Sequence, residues 1–110
     1  MNLHERDKIT LEKIEKNANL CIVYIKGMDL AKFSADDKTV NACVFCLSQI
    51  GELVGKLSDK FIKQHPAIEW HKIKGLRNRI VHDYEGLKLN MVWDVLTEFL
   101  PTLIKYLKTV

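Results

Sequence analysis

Apolar residues recur along this chain at steps of three and four, and no segment alternates convincingly in twos. Leu11, Ile14, Ala18, Cys21, Ile22 and Ile25 form one stripe. Val40, Cys43, Val44, Leu47, Ile50, Val54 and Leu57 form a second, nearly three heptads long. Trp70, Ile73, Leu76, Ile80 and Val81 make a third, and Val92, Leu96, Phe99, Leu103 and Leu107 a fourth. A helix returns a side chain to the same face every 3.6 residues, so each stripe predicts one buried helix face. Such faces must pack on one another. The chain therefore reads as an all-α, up-and-down bundle of four to five helices in a single domain over residues 1–110, a length that supports one modest core.

Local signals place the boundaries. Gly27 stops the first helix, and a short turn or helix around Asp29–Phe33 follows. Ser34 or Asp36 caps the second long helix, in which Gly51 and Gly55 weaken propensity but leave room for a close neighbour. Leu57 to Gln64 is a terminal turn or a separate short helix. Pro66 pushes His65 out of helical geometry and suits the first turn of the next helix. Glu85 and Gly86 break the chain again. Asn90 caps the last helix with Leu89 as part of a staple, and Pro101 should kink it by removing the bond to Thr97.

The net charge of +3 does not by itself announce a nucleic-acid partner, but its distribution is uneven. Residues 56–82 hold seven basic side chains against two acidic ones, while 1–55 and 83–110 are each slightly acidic. A polyanion site needs such a concentration, though a lysine-rich solvated helix face would also produce it. The three cysteines, Cys21, Cys43 and Cys46, are an odd set that argues against a disulfide framework and fits a reducing cytoplasm. Cys43 and Cys46 have redox-motif spacing without the βαβ context, so they read as packing residues. His65 and His71 lack zinc-motif spacing, and Trp70 and Trp93 read as core or dimer anchors. The first eight residues are too charged to open a secretory signal, and the longest apolar run, Ala42 to Leu47, is too short to span a bilayer.

The positive excess surrounds Arg77-Asn78-Arg79-Ile80-Val81-His82-Asp83-Tyr84. Arginine grips phosphate oxygens through a planar fork, and histidine moves protons near neutral pH. Together they suit phosphodiester chemistry. Their spacing imposes a condition, because five residues on a continuous helix separate two side chains by about 140°. Arg77 and His82 share a site only if the helix ends or distorts near His82, or if side-chain length closes the gap. Asn78 lies four residues before His82 and can orient the imidazole. Asp83 can do the same or merely solvate the loop. Read without the motif, Arg77 and Arg79 are solvated charges, His82 favours a helix end and Tyr84 packs beneath a loop.

The eight residues resemble the RxxxxHxY signature of the HepT-like toxins within the HEPN superfamily. The likeness extends to Ile50-Gly51-Glu52, to His65-Pro66-Ala67-Ile68-Glu69-Trp70, to Val92-Trp93-Asp94 and to Leu100-Pro101, and it spans about Thr10 to Leu107. It implies a HEPN-like homodimer with motifs from both subunits lining one cleft. It implies a metal-independent RNA endonuclease that is the toxin of a type VII-like toxin–antitoxin system and needs no cofactor. It also implies a cognate MntA-like nucleotidyltransferase antitoxin that adenylylates Tyr84. The catalytic pair is then Arg77 and His82. Lys72, Lys74 and Arg79 would hold flanking phosphates of an RNA such as tRNA or mRNA. The alternative is a non-catalytic HEPN subunit whose task is to bind a nucleotidyltransferase.

Overall fold

The computed structural model describes residues 4–82 and 88–110, with the side chains of 76, 77 and 79–82 left aside. Among the described residues there is no strand. The helices are α1 (Glu5–Tyr24), α2 (Leu30–Ala35), α3 (Asp37–Val54), α4 (Asp59–Gln64), α5 (Trp70–His82), α6 (Leu89–Asp94) and α7 (Leu100–Leu107), with a single π-helical turn over Val95–Phe99 joining the last two. Four long rods thus correspond to the four stripes, and α2 and α4 are short helices inserted between them. No described helix is long and apolar enough to cross a membrane.

α3 is the centre of the bundle. It packs against α1 on one side and α5 on another, while α7 and the π turn close on α1. Val40, Cys43, Val44, Cys46, Leu47, Ile50 and Val54 are all buried along it, so its apolar surface is wider than a single stripe. Ile14, Ala18 and Cys21 from α1 and Ile73 from α5 meet this surface within one continuous core. Asp36 is the N-cap of α3 and accepts the Thr39 N–H at 3.1 Å. That bond, first, holds its carboxyl below the usual carboxylate range. Gly27 adopts φ +79, a left-handed conformation that a side chain would strain, and this lets the chain turn after α1.

Two boundary expectations fail. The last stretch begins at Leu89 behind Lys88, which makes no side-chain cap bond, so Asn90 lies inside the first turn and is not the cap. The distortion expected at Pro101 takes the form of the π turn just before it. The Leu100 N–H bonds the Val95 carbonyl five residues back, and Pro101, which has no N–H, then sits in the first turn of α7. The wider turn also shifts the inner face. Leu100 is 1% exposed, and Phe99, expected in the core, is only half-buried. The Glu85–Gly86 break lies outside the described residues.

One polar contact pins the start of α1. Asp7 is buried and accepts both the Ser58 N–H at 2.9 Å and the Ser58 hydroxyl at 2.6 Å. Ser58 in turn caps α4 by accepting the Phe61 N–H at 3.1 Å. This ties residues 51 apart in sequence. Asp7→Ala should destabilise the protein by about 1–2 kcal/mol in urea unfolding, because it leaves the half-buried Ser58 donors without their partner, and Asp7→Asn should cost less. A loss below about 0.5 kcal/mol for the alanine variant would contradict this role.

Candidate active site

The motif rides on α5, whose first half is anchored in the core. Ile68, Trp70 and Ile73 are buried. The Trp70 indole N–H donates to the His65 carbonyl at 2.9 Å. His65 has φ −128 and ψ 61, non-helical as expected before Pro66. Its ring stacks on Phe61 with centroids 4.2 Å apart, and Nδ1 lies 2.8 Å from the Tyr106 hydroxyl of α7. His65 Nε2 is buried without a partner. An unfilled acceptor is tolerated better than an unfilled donor, which favours the tautomer that keeps its proton on Nδ1 and donates it to Tyr106. This joint fixes the entry of α5 against the C-terminal helix. Trp70 is therefore a core anchor, as expected, and Trp93 is half-buried with its ring 5.2 Å from that of Phe33.

The predicted site residues fall along the rest of the helix. α5 is helical through His82, so the backbone sets Arg77 and His82 about 140° apart around its axis. The side chains of Arg77, Arg79 and His82, and all of Asp83 and Tyr84, lie outside what the structure describes. Asn78 is exposed. Lys72 is exposed and bonded to Glu69 at 2.9 Å in an i,i+3 pair. This bond, and the charge of Lys72, lower the Glu69 carboxyl. Such an exposed pair contributes little stability and exchanges readily for another anion. Lys74 is exposed, and its Cε lies 3.8 Å from where a Cβ on Gly55 would stand, so its stem runs over the C-terminal end of α3. The two lysines thus leave α5 on different sides.

A groove of about 620 Å³ runs between α5 and the α6–π segment. Ile73, Met91, Val95 and Phe99 give it an apolar floor, and Glu69 and Lys72 stand at its edge. Sequence reasoning did not find this groove, because Phe99 lines it only as a result of the π turn.

The thiols belong to the core. Cys21, Cys43 and Cys46 are free and buried, and the Cys21 Sγ points at the Cys43 carbonyl at 3.9 Å. Its hydrogen bond with Cys43, and then burial, push the Cys21 thiol far up, and burial raises that of Cys46. All three are buried packing groups, as the spacing argument held. Among the described residues no group of three or more His, Cys, Asp and Glu is placed to hold a metal ion.

The model of the family described as "Ribonuclease HepT-like" matches residues 11–110. The chain belongs to the HepT-like ribonuclease family. Among its HepT-like relatives is a protein of Caldanaerobacter subterraneus subsp. tengcongensis named "Putative RNase", 30% identical over 91% of this chain and 89% of the relative. Another, from Methanocaldococcus jannaschii and also named "Putative RNase", is 30% identical over 91% of this chain and 83% of the relative. A third, "Probable ribonuclease HepT" of Thermococcus cleftensis, is 28% identical over 84% of each chain. No solved structure gives a significant match. The HepT-like assignment agrees with the all-helical fold and supports a ribonuclease of the HEPN type.

The α4–α5 joint yields a direct expectation. Tyr106→Phe removes the hydrogen-bond partner of His65 Nδ1 and should lower stability by about 1–2 kcal/mol in thermal or urea unfolding. No measurable change would show that this bond does not hold α5 in place.

Proposed function

We propose that the chain is a metal-independent RNA endonuclease, the toxin of a type VII-like toxin–antitoxin pair, in which Arg77 and His82 act on the RNA phosphodiester. The observation that carries the reading is the Arg77–Tyr84 pattern at the end of α5 in a chain of the HepT-like ribonuclease family. In this reaction a base takes the proton of the ribose 2′-OH. The 2′-oxygen attacks phosphorus, the bond to the 5′-oxygen breaks, and an acid returns a proton to that leaving oxygen. His82 fills one of these roles. Arg77 stabilises the added negative charge on the crowded phosphoryl group. An internal nucleophile removes the need for a metal to activate water, and DNA, which lacks it, is inert.

The 140° between Arg77 and His82 favours a site completed by a second copy. In a homodimer one His82 serves as base and its mate as acid, with Asn78 and Asp83 orienting them. The apolar groove beside α5 suits burial against that second copy. Lys72, Lys74 and Arg79 hold flanking phosphates. An MntA-like nucleotidyltransferase is the partner that adenylylates Tyr84, which places a bulky anion beside the catalytic pair and repels substrate. The three unpaired thiols fit a cytoplasmic setting.

Wild-type protein with unmodified Tyr84 should cleave total RNA or purified tRNA in EDTA, and His82→Ala should lower the rate by about 10²–10⁴-fold. Equal cleavage by both would remove His82 from the mechanism. No cleavage by the wild type would favour the non-catalytic, nucleotidyltransferase-binding alternative.

A further inference from the structure

A second concave surface lies where α1 begins, at the turn between α3 and α4. This cleft of about 440 Å³ is lined by Arg6, Lys56, Lys60 and Gln64 around the Asp7–Ser58 contact. The three cations come from α1, from the connection after α3 and from α4. All three are exposed, and among the described residues none is in an ion pair. Asp7 is the one carboxylate in the lining, and both of its oxygens are engaged by Ser58. The cleft therefore gathers three mobile positive groups and an amide donor around one committed negative charge. Phe61, also in the lining, is 2% exposed and its ring stacks on His65, so it offers no face to a base, while the exposed His4, which also lines the cleft, accepts the Arg6 N–H at Nδ1. The chemistry suits a phosphate.

The cleft is joined to the motif helix. Lys56 follows Gly55, and the Lys74 stem lies over Gly55. Arg77 is three residues beyond Lys74, one turn and about 4.5 Å further along α5 on nearly the same side. Lys74 thus reaches the end of α3 that leads into the cleft of Lys56, Lys60 and Arg6, and the α5 backbone carries Arg77 one turn further on. Lys72 instead leaves α5 toward the apolar groove.

We propose that the cleft of Arg6, Lys56, Lys60 and Gln64 is a phosphate subsite holding the RNA strand that runs off the α5 motif by way of Lys74. This rests on the ribonuclease reading above. It makes the enzyme selective for RNA that extends several nucleotides to one side of the scissile bond, and a dinucleotide does not reach the subsite.

The test is binding of a labelled single-stranded RNA oligonucleotide to the 110-residue chain across a salt series. Wild type is compared with R6Q/K56Q/K60Q and with K13Q/K16Q/K26Q, which removes the same charge from exposed positions elsewhere. The cleft variant should bind roughly tenfold or more weakly at about 0.1 M salt, with a log–log salt slope flatter by about 2, while the control matches wild type. If circular dichroism shows the triple variant unfolded, K60Q alone should flatten the slope by about 0.7. In cleavage assays the cleft variant should raise KM for the long RNA and leave dinucleotide turnover unchanged. Identical binding by the cleft and control variants overturns the subsite and leaves the ribonuclease reading intact. Wild-type binding that depends on the cleft without cleavage overturns the ribonuclease reading alone, and no binding by wild type overturns both.

Discussion

The bundle depends on α3 having an apolar face broad enough for two neighbours. A helix with one narrow stripe can bury itself against one neighbour, whereas α3 buries seven hydrophobic side chains and so holds α1 and α5 at once. The two outer rods then need only one apolar face each, and their other faces are free for charge. On α5 that freedom carries the exposed Lys72, Lys74 and Asn78 without exposing the core.

α5 is fixed where it enters the bundle. Its first turns are held by Trp70, Ile73 and the His65–Tyr106 joint. The residues proposed to be catalytic, Arg77 and His82, lie toward its other end.

Much of this was legible in the sequence because it is periodic or local. The stripes of α1, α3 and α5, the Asp36 cap, the Gly27 turn and the non-helical His65 before Pro66 all follow from residues within a few positions of one another. The motif from Arg77 to Tyr84 is local as well, and the family it indicated is the one to which the chain belongs. What stayed hidden depends on register or on distance. The π turn adds one residue to a helical repeat, moving Leu100 inward and Phe99 outward, and no short-range pattern announces that change. Asp7 looks like an ordinary first-turn acid until Ser58 is brought to it from 51 residues away. Arg6 escaped the count of basic residues near the motif for the same reason, since only the fold sets it beside Lys56 and Lys60.

The central claim is that the α5 motif cleaves RNA by using its own 2′-OH. The most direct measurement is mass spectrometry of the ends left on a defined RNA after cleavage in EDTA. Attack by the 2′-oxygen leaves a 2′,3′-cyclic phosphate on one fragment and a 5′-hydroxyl on the other, and a single 2′-deoxy substitution at the scissile nucleotide abolishes the cut. Fragments ending in a 3′-hydroxyl and a 5′-phosphate, or cleavage that survives the deoxy substitution, would contradict the account.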